Sequence, residues 1–344
     1  MIDKTEEQIM QNWKKSVYPM VTITCVVFNH EKFIEETLDG FLMQNTTFSF
    51  EVLLHDDVST DGTIVIIEKY RKKFPHIIKP LYQDINQYSQ GKNPLAILFS
   101  EVKGEFMAHC DGDDYWTDEN KLQIQIDEMK KRPWLDMSFH YARERIGTKK
   151  CHTYGKRANE DTVFTTSEVI LGGGEFCVTS SLVFRSKLLS KIPNWFYSTI
   201  VGDYPLQVLG AASGGGALYI NRSMSIYRVG ETNSWTSSLK QTENSYAQLL
   251  LANRFINDLN NTLEKRYQKE FSKVIADKNF AFLCKTSFDI EHREKLFEEF
   301  KETLSPMQKF IWHFIFKKIR RVINIPSPNN IKQKLFRWFC TKNY

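Results

Sequence analysis

The sequence predicts an α/β protein in which a Rossmann-like parallel sheet fills the first 150 residues, followed by a smaller half and a helical, basic C-terminal extension. Three observations carry that expectation. Continuous apolar, β-branched runs alternate with segments of helical period between residues 19 and 150. Two of those runs end in carboxylate pairs, Asp56-Asp57 and Asp111-x-Asp113. After Trp235 the composition shifts to helix formers with few glycines.

The first strand is VTITCVVFN (21–29), a run of the kind that a parallel strand covered on both faces requires. EKFIEETLDGFLMQ follows with apolar residues at 33, 34, 38, 41 and 42, the helical spacing. FEVLLHDD (50–57) is a second strand, and STDGTIVIIEKYRKKF opens like a capped helix with apolar residues at 64, 67, 70 and 74. HIIKPLYQ reads as a third strand, PLAILFSEVK as a third helix and EFMAHCD as a fourth strand. A helix then runs from near Asp118 through ENKLQIQIDEMKKR. Four βα units in succession imply a parallel sheet with right-handed crossovers.

With 344 residues, 42% hydrophobic and 25% charged, the chain can bury one large core or two, which excludes disordered and fibrous classes. Its six cysteines are scattered without a C-x-x-C pair, so neither a zinc ribbon nor a disulfide framework is expected and a reducing cytosol fits best. The opening MIDKTEEQIMQNWKKS is polar, and no run of 18 apolar residues exists. The expected location is therefore cytoplasmic, with any membrane contact peripheral. Charge is uneven: from Lys301 onward ten Lys or Arg face one Glu, so that stretch carries +9 and the preceding 300 residues −4. Such a split suggests chemistry in the body and adhesion to something anionic at the end.

HCDGDDYW (109–116) concentrates three carboxylates, Asp111, Asp113 and Asp114, within four positions. Unpaired, they repel one another, so a metal, a basic side chain or water must join them. An EF-hand is excluded: with Asp111 as the first loop position, Trp116 stands where the sharp-turn glycine belongs and Leu122 where the bidentate Glu belongs. There is no G-x-x-x-x-G-K-[ST] loop, and no G-x-G-x-x-G follows the first strand. Carboxylates at the carboxyl edge of a parallel sheet sit where open α/β sheets bind ligands, and they hold a diphosphate only through a hard cation such as Mg²⁺ or Mn²⁺.

These segments, VTITCVVFNHEKFIEETLDGFLMQ, FEVLLHDDVSTDGT and FMAHCDGDDYWTDENKLQIQID, resemble in order and spacing the GT-A nucleotide-binding half of family 2 glycosyltransferases. GDYPLQVLG and SIYRVGETNSW resemble the acceptor-side segment of that family, so the resemblance covers about residues 19–235. It implies a GT-A domain over 1–235, divided into a nucleotide-binding half (19–150) and an acceptor half (151–235); outside the resemblance, the composition after Trp235 reads as a helical extension over 236–344 with an amphipathic basic tail over 306–344. The implied activity is inverting transfer of one sugar from a nucleotide-diphosphate sugar, with uridine diphosphate the usual carrier, to a glycan or lipid-linked acceptor in surface polysaccharide synthesis. Val27, Asn29, Asp56, Asp57, Asp111, Gly112 and Arg228 are the implied nucleotide-sugar residues, and Asp113 with Asp111 the implied ligands of Mg²⁺ or Mn²⁺. Thr179, Ser180 and Ser181 fall on the acceptor side. Asp203 is the implied general base, although Asp-x-Pro by itself also suits the start of a helix. Where the family often has a His after the Tyr-Arg pair, this chain has Gly230 and Glu231.

His109 and Trp116 read as packing residues. A sugar-phosphate nucleotidyltransferase would open with a Gly-rich basic loop, which FNHEKF is not. The contrasting reading is a binding module that grips an anionic surface or nucleic acid; under the transferase reading no nucleic acid partner is expected. In KFIWHFIFKKIRRVINI (309–325) the spacing sets Ile311, Trp312, Ile315, Phe316, Ile319, Val322 and Ile323 against Lys317, Lys318, Arg320 and Arg321, an amphipathic basic helix suited either to an anionic membrane through 309–340 or to packing on the protein's own body with its charges in water.

Overall fold

The computed structural model describes residues 2–147, 152–199, 201–229, 242–284 and 290–314. The chain divides into two compact units, Met1–Leu239 with Asp258–Arg266, and Lys240–Asn257 with Tyr267–Tyr344.

In the first unit a short helix, α1 (Glu6–Met10), precedes the strand-helix alternation β1 (Val21–Val27), α2 (Ile34–Leu42), β2 (Phe50–Asp56), α3 (Thr63–Lys73), β3 (Ile78–Tyr82), α4 (Pro94–Leu98) and β4 (Phe106–His109). β1 pairs in parallel with β2 and with β4, and β2 in parallel with β3. The Rossmann-like half expected from the apolar runs is therefore present. β1 and β2 are buried almost throughout, as apolar runs without alternation require. Pro80, which cannot donate to a ladder, sits in β3, at the end of the strand order. The segment expected as a third helix is helical only to Leu98 and continues as a 3₁₀ turn, Phe99–Glu101.

The remaining elements extend the same sheet: β5 (Tyr115–Trp116), α5 (Lys121–Lys131), β6 (Met137–Ile146), β7 (His152–Tyr154), β8 (Thr162–Phe164), α6 (Thr166–Gly172), β9 (Val183–Arg185), α7 (Asp203–Gly214) and β10 (Ala217–Val229). The strand order is β3-β2-β1-β4-β9-β6-β10-β5, with β7 on β6 and β8 on β10. β9 runs antiparallel to β4, so the sheet changes from parallel to mixed at that point. β5 is only two residues long, yet its antiparallel pairing of Trp116 with Ser225 and Tyr115 with Ile226 ties the loop after β4 to β10.

Close approach explains one glycine inside a helix. A Cβ at Gly40 of α2 would lie 2.9 Å from the backbone N and O of Trp116, so only glycine lets α2 press onto β5. The core under the sheet edge includes Val21, Ile23, Cys25, Val27, Leu38, Phe41, Leu54, Ile67, Phe106 and Trp116.

The second unit is helical. Its helices are the first part of α8 (Thr242–Thr262), then α9 (Gln268–Leu283), α10 (Ile290–Phe300) and α11 (Pro306–Ile311). It has its own core of Leu249, Phe280, Leu283, Leu296, Phe297, Phe300, Leu304 and Trp312. Trp312, which spacing groups with Ile311 on the apolar stripe, is turned into that core, 3% exposed, and Ile311 packs against it. The rest of that stripe from Ile315 on lies outside the described residues.

Candidate active site

Three parallel strands, β1, β2 and β4, deliver their carboxyl ends to one edge of the sheet, and the loops beyond them are laced together by side chains. Asn29, at φ 55°, accepts the Thr60 N–H at Oδ1 (2.7 Å) and donates its own N–H to Ser59 Oγ (2.9 Å). Asparagine tolerates this left-handed conformation better than most residues, which suits it to the turn after β1. Glu31 accepts the Gly62 N–H at 2.8 Å and donates its own N–H to Asp61 at 3.2 Å. Val27 is fully buried and its carbonyl accepts the Asp57 N–H, so it shapes the edge from beneath.

Asp56 and Asp57 are both buried, but their oxygens are used differently. Asp57 accepts the N–H groups of Gln87 (2.6 Å) and Tyr88 (3.0 Å), one on each oxygen, with His55 Nε2 3.4 Å away. It therefore organises the segment after β3. Asp56 accepts the Ser59 N–H at Oδ2 (3.0 Å), while its buried Oδ1 has no partner. A buried carboxylate oxygen left unpaired is costly, and a ligand N–H or O–H would satisfy it.

The acidic loop after β4 is held on three sides. Gly112 donates its N–H to the Val26 carbonyl (3.0 Å), and a Cβ there would lie 2.6 Å from His30 Nδ1 and 3.0 Å from Val27 Cγ2. Thr37 Oγ1, from α2, lies 3.0 Å from the Gly112 carbonyl and 2.6 Å from that of Asp114, placed to donate to either. Arg228, from β10, donates its backbone N–H to Asp114 Oδ1 (3.0 Å) and its guanidinium to the Asp113 carbonyl and to Glu36. That guanidinium also lies 4.9 Å from the Phe33 ring centre and 4.5 Å from that of Tyr115. Arg228 is thus 8% exposed and engaged by its own protein.

The carboxylates of the loop are not equivalent. Partial desolvation of Asp111, whose side chain is 41% exposed, is more than offset by His109 at 3.3 Å, and the carboxyl stays below the usual range. His109 in turn lies 3.0 Å from the Thr24 carbonyl and 3.1 Å from Thr24 Oγ1, so it orients Asp111 rather than only filling the strand. Burial, and then repulsion from Asp111, raises Asp113; burial and the charge of Asp113 raise Asp114 well above the usual range. Such a set accepts a cation. Among the described residues no group of three or more His, Cys, Asp or Glu could hold a metal unaided. Two carboxylates nevertheless fit a hard ion that completes its shell with diphosphate oxygens and water.

Asp203 comes from the other half of the sequence. It is the first residue of α7, its Oδ1 accepting the Tyr204 N–H at 2.7 Å. Burial, and with it the negative charge of Asp111, raises its carboxyl above the ordinary value, while His109 acts in the opposite sense. Asp203 therefore feels the charge of the acidic loop. Ser180 and Ser181 are completely buried in a 3₁₀ turn with Thr179, which is half-buried. The Ser180 carbonyl accepts from Trp116 Nε1 (2.8 Å), Ser180 Oγ is 3.1 Å from Ser225 Oγ, and Ser181 Oγ donates to the Val178 carbonyl (2.5 Å). These two hydroxyls brace the sheet junction behind the acidic loop.

Sequence reasoning missed Phe33, Glu36, Thr37, Tyr115 and the Gln87-Tyr88 backbone. A Thr on the apolar side of an amphipathic helix was the available signal for Thr37. Nothing local pointed to the other four.

The fold and the acidic edge define the class. Residues 22–192 match the model of glycosyl transferase family 2, and the chain belongs to that family. Its relatives are more particular. It is 38% identical over 125 residues to an uncharacterised protein of Mycobacterium tuberculosis, a match covering 36% of this chain and 35% of that one. It is 31% identical over 123 residues to the putative teichuronic acid biosynthesis glycosyltransferase TuaG of Bacillus subtilis, covering 36% and 45%. With the poly(ribitol-phosphate) β-N-acetylglucosaminyltransferase TarS of Staphylococcus aureus it shares 38% identity over 89 residues, 26% of this chain and 15% of that one. The matches thus span less than half the length of these relatives. The crystal structure of S. aureus TarS 1-349 with UDP-GlcNAc superposes with a TM-score of 0.63 at 17% identity, covering 84% of this chain and 82% of that one, a likeness of fold. The fold is GT-A.

Proposed function

We propose that this protein transfers one sugar, with inversion, from a nucleotide-diphosphate sugar, UDP-linked, to a hydroxyl of a glycan or lipid-linked acceptor in surface polysaccharide synthesis. The observation that carries the reading is the set of carboxylates, Asp56, Asp57, Asp111 and Asp113, at the carboxyl ends of the parallel strands β2 and β4 of a family 2 chain; the charge of Asp111 felt at Asp203 supports Asp203 as the base that works beside them. In this reading the nucleoside lies over the edge formed by Val27, Asn29, Asp56 and Asp57, where the unpaired Asp56 Oδ1 supplies an acceptor. Asp111 and Asp113, with Gly112 between them, would hold Mg²⁺ or Mn²⁺, which when bound would supply positive charge to a departing diphosphate.

Asp203 takes the proton from the acceptor hydroxyl as that oxygen attacks the anomeric carbon from the face opposite the leaving group. A carboxyl raised by burial holds that proton better than an ordinary one, so its environment favours this task. Arg228 and Thr37 act through the loop backbone, keeping Asp111 and Asp113 in register. TarS, named for transfer to poly(ribitol-phosphate), and TuaG, named for teichuronic acid biosynthesis, support a polymeric product.

The experiment is donor turnover. Wild-type protein with Mn²⁺ should release nucleoside diphosphate from a nucleotide sugar, and Asp203→Asn should lower that rate by about 10² to 10⁴ while binding donor nearly as well. Wild-type turnover by Asp203→Asn, or a product that keeps the donor's anomeric configuration, would contradict it.

A further inference from the structure

In the helical unit, α11 and the π-helical turn at Trp312–Phe314 have two distinct sides. Ser305 caps the helix: its Oγ accepts the Gln308 N–H (3.3 Å), while Gln308 Oε1 accepts the Ser305 N–H (2.9 Å). Gln308 is buried and donates to Asp277 Oδ1 (2.9 Å), and Trp312 stacks on Phe297 at 5.0 Å. With that side committed inward, Met307, Phe310 and Phe314 are left outside, 66%, 59% and 50% exposed. Phe310 and Phe314 stack on each other at 5.3 Å.

Single exposed apolar residues are ordinary on a protein surface. Three at i, i+3 and i+7, two of them stacked, form a continuous ridge. Its charge context is one-sided: Lys309 shares the helix, and the sequence beyond carries Lys317, Lys318, Arg320, Arg321, Lys332, Lys334, Arg337 and Lys342 with no acidic residue after Glu302. Aromatic and thioether side chains followed in sequence only by cations match a surface that is anionic at its face and apolar beneath.

We propose that the Met307–Phe310–Phe314 ridge inserts into the headgroup boundary of an anionic lipid bilayer, with the basic sequence that follows it bound to the headgroup phosphates. The ridge belongs to a different compact unit from the acidic edge, so membrane docking and sugar transfer can fail independently. A bilayer-docked enzyme would meet a lipid-linked acceptor at the surface where it is made.

The test uses the full chain and unilamellar vesicles of phosphatidylglycerol or of phosphatidylcholine, read by co-sedimentation. The expected result is partition onto phosphatidylglycerol at low salt, at least about tenfold weaker on phosphatidylcholine and weaker again in high salt. Combining Met307→Ser, Phe310→Ser and Phe314→Ser should lower partition at least about tenfold with donor turnover unchanged. Combining Lys317→Gln, Lys318→Gln, Arg320→Gln and Arg321→Gln should also weaken it, and unchanged partition of that variant would overturn the role given to the basic sequence. Equal partition of the triple-serine variant and wild type overturns the proposal, as does a wild-type chain that ignores phosphatidylglycerol at low salt. A lipid-free wild-type dimer that the serine variant dissociates, seen by light scattering, overturns it too, because a second copy would then cover the ridge.

Discussion

Replacing Arg228 with methionine keeps an apolar stem of similar reach and removes the guanidinium, and the contacts of that group set the cost. The charge-assisted hydrogen bond to the Asp113 carbonyl is of a class worth about 1.5–3 kcal/mol. The ion pair with Glu36, whose side chain is 53% exposed, adds less than about 1 kcal/mol after screening by solvent. The Phe33 and Tyr115 rings at 4.9 and 4.5 Å add roughly 0.5–1 kcal/mol each, part of which the methionine sulfur recovers. The expected loss is about 3 kcal/mol in urea denaturation of the ligand-free protein. Donor affinity should fall with it, because the same group steadies the loop that bears Asp111 and Asp113. Arg228→Lys keeps the charge but not the planar fork, and should fall between. Were Arg228 only a ligand for donor phosphate, methionine would remove a nearly buried charge, leaving the ligand-free protein as stable or more so while donor KM rose. That result would refute the reasoning.

Gly112→Ala should lower donor affinity and cost about 1–3 kcal/mol, since the new methyl must displace His30 or Val27; a variant with wild-type stability and donor binding in calorimetry would contradict it. The acid limb of kcat/KM should lie above the ordinary carboxylate range, because the raised Asp203 carboxyl must lose its proton to act and activity falls as pH drops through its pKa. A rate that stays flat down to about pH 4 would exclude it as base. Lys121 is fully buried, its Nζ without a hydrogen-bond partner and 4.0 Å from the Trp116 ring centre, and burial lowers its pKa to about 7. Between that value and the ordinary lysine range the unfolded chain holds a proton that the folded one lacks. Stability should therefore rise with pH by up to about 1.4 kcal/mol per unit in that window relative to Lys121→Met, and parallel pH profiles of the two proteins would contradict it.

The first half of the fold was legible because each strand is a continuous apolar run and each helix an amphipathic one, so local periodicity alone places β1, β2 and β4. The carboxylates at their ends were legible for the same reason: Asp56 and Asp111 follow directly from where a run stops. The clamp on the acidic loop was not. Arg228 meets Glu36 across 192 positions of sequence, and no local pattern records a contact made by sheet pairing. β5 was invisible because two residues carry no period; only its partner β10 makes it a strand. Asp57 looked equivalent to Asp56 in sequence, and what separates them is the backbone of Gln87 and Tyr88, delivered by the segment after β3. Trp312 lies on the apolar side that spacing gives it, but spacing does not say whether a membrane or a neighbouring helix covers that side, and for Trp312 it is Phe297.

Calorimetric titration of nucleotide sugars into the full chain, with Mn²⁺ and again with excess chelator, tests the central claim most directly. The account predicts that at least one UDP-sugar binds with Mn²⁺, that chelator or Asp113→Asn removes most of that affinity, and that Asp203→Asn leaves it nearly intact. Equal affinity in chelator, or no binding by any nucleotide sugar, would contradict it.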